Sequence, residues 1–201
     1  MENSSSDQSP LYSPLIEQAA RLAVTAHHNQ RRKITGVPYF SHPSSVTLIL
    51  ARAGFTDDTI FAAALLHDVV EDTSITLADL KNEFPPEVVE VVDACSEQKR
   101  DSDGNRIPWK QRKMDHLNHI SQASLASRAV LLADKLHNLT TMQFDQQAGQ
   151  RIWEHFNASK DEVLWYLSSI VEAAADFPDK RLKQMASECR QRLVDLDSSD
   201  R

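Results

Sequence analysis

One segment constrains this chain more than any other. The run FAAALL, residues 61–66, is apolar at every position and is followed at once by HDVVEDT. A helix through residues 59–70 is then apolar almost all round, which marks a central, buried element. Its exit carries His67 and Asp68, two polar groups whose burial without partners is costly. Glu71 lies four residues after His67, and Asp72 four after Asp68, so each pair shares neighbouring faces of one helix. Taken alone, the segment could equally be an exposed helix end with scattered charges.

The rest of the chain also favours helix. Four glycines in 201 residues leave little room for tight hairpins or glycine-rich phosphate loops, and no strand-type alternation of useful length occurs. Apolar periodicity and turn residues predict helices over residues 14–28, 44–53, 59–70, 74–84, 87–96, 109–120, 123–142, 150–156, 160–175 and 179–195. Residues 30–43, with Gly36, Pro38 and Pro43, read as a loop. Residues 97–108, EQKRDSDGNRIP, are the longest polar interruption and read as a mobile loop near an active-site mouth. The expected fold class is all-α: a single domain over residues 11–196, with a disordered polar tail at 1–10 and a polar tail at 197–201.

Charge and composition remove several function classes. A formal charge of −7 argues against nucleic acid as a general partner, while leaving room for a small anionic ligand in a local pocket. No apolar run approaches the roughly 20 residues that cross a bilayer, so no membrane is expected. The N-terminus MENSSSDQSP lacks the basic and apolar blocks of a signal peptide, and a cytoplasmic location is the default. Cys95 and Cys189 lack metal-type spacing and are expected to be reduced packing residues. Nothing in the pattern fixes the oligomeric state.

Two distant features belong with the 67–72 segment. His42 sits in PYFSHP, a loop residue between two prolines, and Asp134 interrupts the apolar run in VLLADKLHNL. An acid that follows Val130, Leu131, Leu132 and Ala133 is a poor candidate for a solvated residue. Two imidazoles and two carboxylates suit manganese or iron, and zinc less specifically. Four such ligands leave positions for water and a phosphate oxygen on a metal that prefers six.

These residues resemble the HD superfamily of metal phosphohydrolases, and more closely the hydrolase domain of the RelA/SpoT family. That family shows a basic pair before a G-x-P-Y-x-x-H-P loop, then H-D-x-x-E-D-T, then A-D-[KR]-L-x-N. Here Arg32-Lys33, GVPYFSHP, HDVVEDT and ADKLHN follow in that order. The resemblance spans residues 14–175 and leaves no room for the synthetase domain of the longer enzymes, so the chain looks like a small alarmone hydrolase, an HD-type bundle of about 8–10 helices.

The resemblance implies that His42, His67, Asp68 and Asp134 hold Mn²⁺, and that Glu71 and Asp72 position and deprotonate a water. It implies removal of the 3′-pyrophosphate from (p)ppGpp-like nucleotides, with Arg32, Lys33, Thr35, Asn138 and Thr141 contacting the substrate. No side chain is committed to the guanine edges, so adenosine forms are expected alongside guanosine ones. Lys135 either contributes to the site or pairs with a carboxylate. His137 is expected to point away from the metal face, and His27, His28, His116, His119 and His155 to be surface or packing residues. The competing functions are an NADPH 2′-phosphatase or other HD-type nucleotide phosphohydrolase, and a nucleotide-sensing module without catalysis.

Overall fold

A computed structural model describes residues 12–198, so the two expected tails lie almost wholly outside the described residues. The described part is all α. Ten α-helices run α1 Pro14–Ala26, α2 Ser41–Ala53, α3 Asp58–Leu66, α4 Val69–Asp72, α5 Leu77–Glu83, α6 Pro86–Cys95, α7 Trp109–Ile120, α8 Leu125–Gln147, α9 Lys160–Ala175 and α10 Lys180–Ser198, with a 3-10 turn at Ile152–His155. Among the described residues the only extended pairings are two isolated bridges, Arg31 with Pro38 and Arg100 with Arg106. Most helix starts are capped by short polar side chains, which satisfy otherwise orphaned N–H groups. Ser13, Asp57 and Ser124 accept from the first turns of α1, α3 and α8. Thr76 with Asp79 and Ser159 with Glu162 form reciprocal capping boxes.

Two helices form the interior. In α3, Ile60 and residues 62–66 are buried, and the small Ala62, Ala63 and Ala64 let α1, α2 and α6 approach closely. In α8, every residue from Ser127 to Asp134 is buried, between α2, α6, α9 and α10. Leu66, Leu131 and Leu132 are essentially inaccessible; burying such a side chain contributes about 1.5–3 kcal/mol.

Beside smaller shifts at other helix ends, such as α10 running on to Ser198 into the expected polar tail, three departures from the expected boundaries stand out. The loop after residue 30 ends at Phe40, so His42 stands in the first turn of α2 and not in a loop. Pro43 does not prevent this, because a proline N in the first helical turn has no carbonyl to meet. The helix expected over residues 59–70 is interrupted at His67-Asp68, which separates α3 from α4. Both residues keep near-helical dihedrals, and the Asp72 N–H still bonds the Asp68 carbonyl at 2.9 Å, so the four-residue register survives. Finally, α8 runs five residues past its expected end at residue 142 and stops at Ala148 and Gly149, where the glycine φ is +80°.

Candidate metal and phosphate site

Polar residues at the start of α2, at the α3–α4 link and within α8 meet. The Nε2 atoms of His42 and His67 lie 3.2 Å apart. Asp134 Oδ1 is 3.1 Å from His42 Nε2 and 3.8 Å from His67 Nε2. Asp68 Oδ2 is 3.4 Å from His42 Nε2 and 3.1 Å from His67 Nε2. His42, His67 and Asp134 form the tightest group, with donor atoms all within 4.8 Å of one another; Asp68 joins it through its contacts to both imidazoles.

The outward nitrogens are committed elsewhere. His67 Nδ1 faces the Ala64 carbonyl at 2.7 Å, the last turn of its own helix, and so carries the proton as donor. His42 Nδ1 is 2.7 Å from His137 Nδ1. The His137 ring therefore packs on the outward nitrogen of a ligand candidate. With both Nδ1 atoms engaged, two Nε2 atoms and two carboxylates face one small volume, an arrangement that suits a cation. In the metal-free protein a proton takes that place. Burial works against the His67 imidazolium, but the Asp68 carboxylate, helped by Asp134, outweighs it and lifts the pKa to about 9. Burial also opposes the Asp134 anion, yet Lys135 at 2.7 Å and the His42 ring hold it well below the usual carboxylate range. The donor set thus fits a divalent ion, with nitrogen and oxygen ligands and Nδ1 partners that orient the rings.

The acids expected beside the metal are present on α4. Glu71 Oε2 accepts the Glu97 N–H at 3.3 Å, and Lys99 Nζ lies 3.2 Å from Glu71 Oε1 and 3.3 Å from Asp72 Oδ1. Burial pushes the Glu71 carboxyl up, with Lys99 opposing the shift. The Tyr39 hydroxyl, 2.6 Å from Asp68 Oδ2 and 3.3 Å from Asp72 Oδ2, links the ligand set to the acid pair. Burial and the Asp68 charge raise its pKa, so it stays a donor. Its ring stacks on His27 at 4.7 Å and lies under the Arg32 guanidinium.

Arg32 reaches across to α8, donating to Asn138 Oδ1 at 3.1 Å and Thr141 Oγ1 at 3.3 Å. Asn138 in turn donates to Asp134 Oδ1. Arg32, Asn138 and Thr141 therefore form one chain from the ligand set outward. Lys33 and Thr35 are not drawn in; they stand exposed on the turn closed by the Gly36 N–H on the Arg32 carbonyl. Tyr39, Lys99 and His137 are site residues that sequence reasoning left unassigned. Tyr39 and His137 lay inside quoted motifs, so their spacing was visible; Lys99 carried no signal beyond a polar loop.

The family model described as HD domain matches residues 19–163. The chain belongs to the HD-domain family. This HD-domain protein is 35% identical over 169 residues to guanosine-3′,5′-bis(diphosphate) 3′-pyrophosphohydrolase MESH1 of Xenopus tropicalis, covering 81% of this chain and 91% of that protein. It is 36% identical over 144 residues to the Homo sapiens protein of the same name, covering 69% and 77%. It also superposes on the solved structure of a metazoan orthologue of SpoT that hydrolyses ppGpp, with a TM-score of 0.74 and 28% identity over 92% of this chain and 98% of that one. Among the described residues no helix is long and apolar enough to cross a membrane.

Proposed function

We propose that this protein is a manganese-dependent 3′-pyrophosphohydrolase acting on guanosine-3′,5′-bis(diphosphate) and its adenosine counterpart. One observation carries the proposal: two imidazoles each lie within 3.8 Å of the same two carboxylates, beside a second carboxylate pair, in a chain whose relatives are named for this reaction. His42, His67, Asp68 and Asp134 hold the ion. When bound it supplies Lewis acidity at the scissile phosphoryl group and neutralises part of its charge.

The side chains divide the remaining work. Glu71, raised by burial, takes a proton from the attacking water. Asp72 and Tyr39 fix the orientation of that water and of Asp68. Arg32, with Asn138 and Thr141, holds the ribose and its phosphate, and the guanidinium plane offers a purine a stacking face. Lys33 and Thr35 meet the outer part of the nucleotide from their exposed turn. Water bonds to the phosphorus on the ribose 3′ oxygen, the P–O3′ bond breaks, and O3′ takes up a proton. The products are pyrophosphate and the nucleoside 5′-diphosphate. The net charge of −7 and two free, buried cysteines agree with a cytoplasmic enzyme for a small nucleotide.

The test is product identity on a panel of ppGpp, ppApp and NADPH with Mn²⁺. Stoichiometric pyrophosphate from the first two is expected. Orthophosphate from NADPH with no pyrophosphate from either alarmone would reassign the protein as a phosphomonoesterase.

A further inference from the structure

We propose that Lys99 is a substrate-contacting residue that holds the outer phosphate of the pyrophosphoryl group and so makes the site select diphosphate over monophosphate esters. The inference rests on the pyrophosphohydrolase function proposed above. It starts from residues 97–108, which form a built finger and not a loose loop. Arg100 and Arg106 pair as an antiparallel bridge, the Ile107 N–H bonds the Lys99 carbonyl, and the Asp101 N–H bonds the Asn105 carbonyl. At the tip the Asp101 carboxylate accepts from the Asp103 and Asn105 N–H groups, and Gly104 turns at φ +81°.

The base of the finger is anchored beside the acids. Glu97 gives its N–H to Glu71, and its nearly buried carboxylate is clamped by Lys113, Arg112 and the Tyr166 hydroxyl. The Lys99 backbone is therefore fixed two residues from a rigid anchor. Its side chain is 47% exposed and reaches back over α4, with Nζ 2.9 Å from the Glu71 carbonyl and within 3.3 Å of both carboxylates.

Charge balance gives that ammonium a task. Asp68, Glu71, Asp72 and Asp134 put four carboxylates around the reaction centre, and the incoming group is itself an anion. Beside the imidazoles, Lys135 and Lys99 bond these carboxylates directly, and Arg32 reaches them through Asn138. Arg32 lies on the α8 side with Asn138 and Thr141, and the Lys135 side chain is largely buried against Asp134. Lys99 alone of the three combines contact with the acid pair and access to solvent. The attacking water and the departing O3′ lie in line through the reacting phosphorus. The outer phosphate projects to the side of that line, one P–O–P link away. A lysine, with a flexible stem and a compact charge, can exchange carboxylates for phosphate oxygens there. In doing so it uncovers Glu71 Oε1. A monophosphate ester has no outer phosphate to draw it away.

The experiment uses the full-length, metal-loaded protein and the variants Lys99→Met and Lys99→Arg, each checked for an unchanged melting temperature. Hydrolysis is compared on a nucleoside 3′-diphosphate and the matching 3′-monophosphate. Binding of inorganic pyrophosphate and of orthophosphate is measured by calorimetry. For Lys99→Met, the ratio of kcat/KM on the diphosphate to that on the monophosphate, and the ratio of pyrophosphate to orthophosphate affinity, should each fall at least ~10-fold, with most of the loss restored by arginine. Equal losses on both esters, or wild-type protein that binds pyrophosphate no more tightly than orthophosphate, overturn the inference. If the wild type hydrolyses no alarmone, the proposed function fails, but calorimetry still decides whether Lys99 reads the outer phosphate.

Discussion

An ionised carboxylate inside an apolar helix must be answered on every side, and Asp134 is: Lys135 and Asn138 bond it from its own helix, and His42 and His67 face it from α2 and the α3–α4 link. Glu71 differs from it in environment and, in the proposed reaction, in task. Burial disfavours its charged form, which suits a base that must accept a proton near neutral pH. Glu71→Gln keeps the shape and removes the base. Turnover should drop on the order of 10²–10⁴-fold, while metal content and nucleotide binding persist; near-normal turnover would reduce Glu71 to a structural role. The sign of the pH dependence follows from the raised pKa. The base works only when deprotonated, so kcat/KM should decline as pH falls through a value above the ordinary glutamate pKa of about 4.3. A pH–rate profile of the wild type checks this.

At the scale of elements, one buried cation joins helix ends that sequence patterns do not connect. The Arg128 guanidinium donates to the carbonyls of Ser121 and Ala123 between α7 and α8, and to those of Ala173 and Asp176 at the end of α9, with Phe177 against its plane. Terminal helix carbonyls lack partners within their own helix, so this side chain satisfies four acceptors that are otherwise left wanting. Arg128→Met should cost on the order of 3 kcal/mol, since buried acceptors lose charge-assisted bonds together. Denaturant unfolding with an unchanged slope measures it, and a loss under ~1 kcal/mol would mean that water replaces the guanidinium. The periodicity of α8 and α9 is legible in sequence, but nothing in it marks Arg128. Its partners lie as far as Asp176, and main-chain carbonyls carry no sequence signature.

The whole molecule couples its stability to the charge of the site. In metal-free protein His67 has a pKa of about 9, against about 6.5 for an unperturbed histidine. A raised folded-state pKa gives stability that is complete below the unfolded value and lost as pH rises through the folded one. The metal-free melting temperature should therefore fall between pH ~6.5 and ~9. Metal binding displaces that proton, so metal affinity should weaken as pH falls below 9. Adding Mn²⁺ at about 100 times its dissociation constant should stabilise the fold by about 2.7 kcal/mol. Calorimetric melting with and without metal, across this pH range, tests both effects. A metal-free melting temperature independent of pH would show that His67 is neutral without metal.

The sequence by itself determined the helical class, because scarce glycine and 3.6-residue periodicity leave no other economical way to bury FAAALL and VLLA. It also marked the polar residues that interrupt those runs, since His67, Asp68 and Asp134 sit where an apolar side chain would pack better. Tertiary structure alone decided how they meet. The break at His67-Asp68, the inclusion of His42 in α2, the His137 ring on His42 and the Tyr39 hydroxyl between Asp68 and Asp72 all depend on helices converging from distant parts of the chain. The same holds for Lys99, which reads as one charge in a polar stretch until the finger folds back onto α4. Local periodicity reports which face of a helix is buried, but not which part of another helix lies across from it, and this site is made between helices.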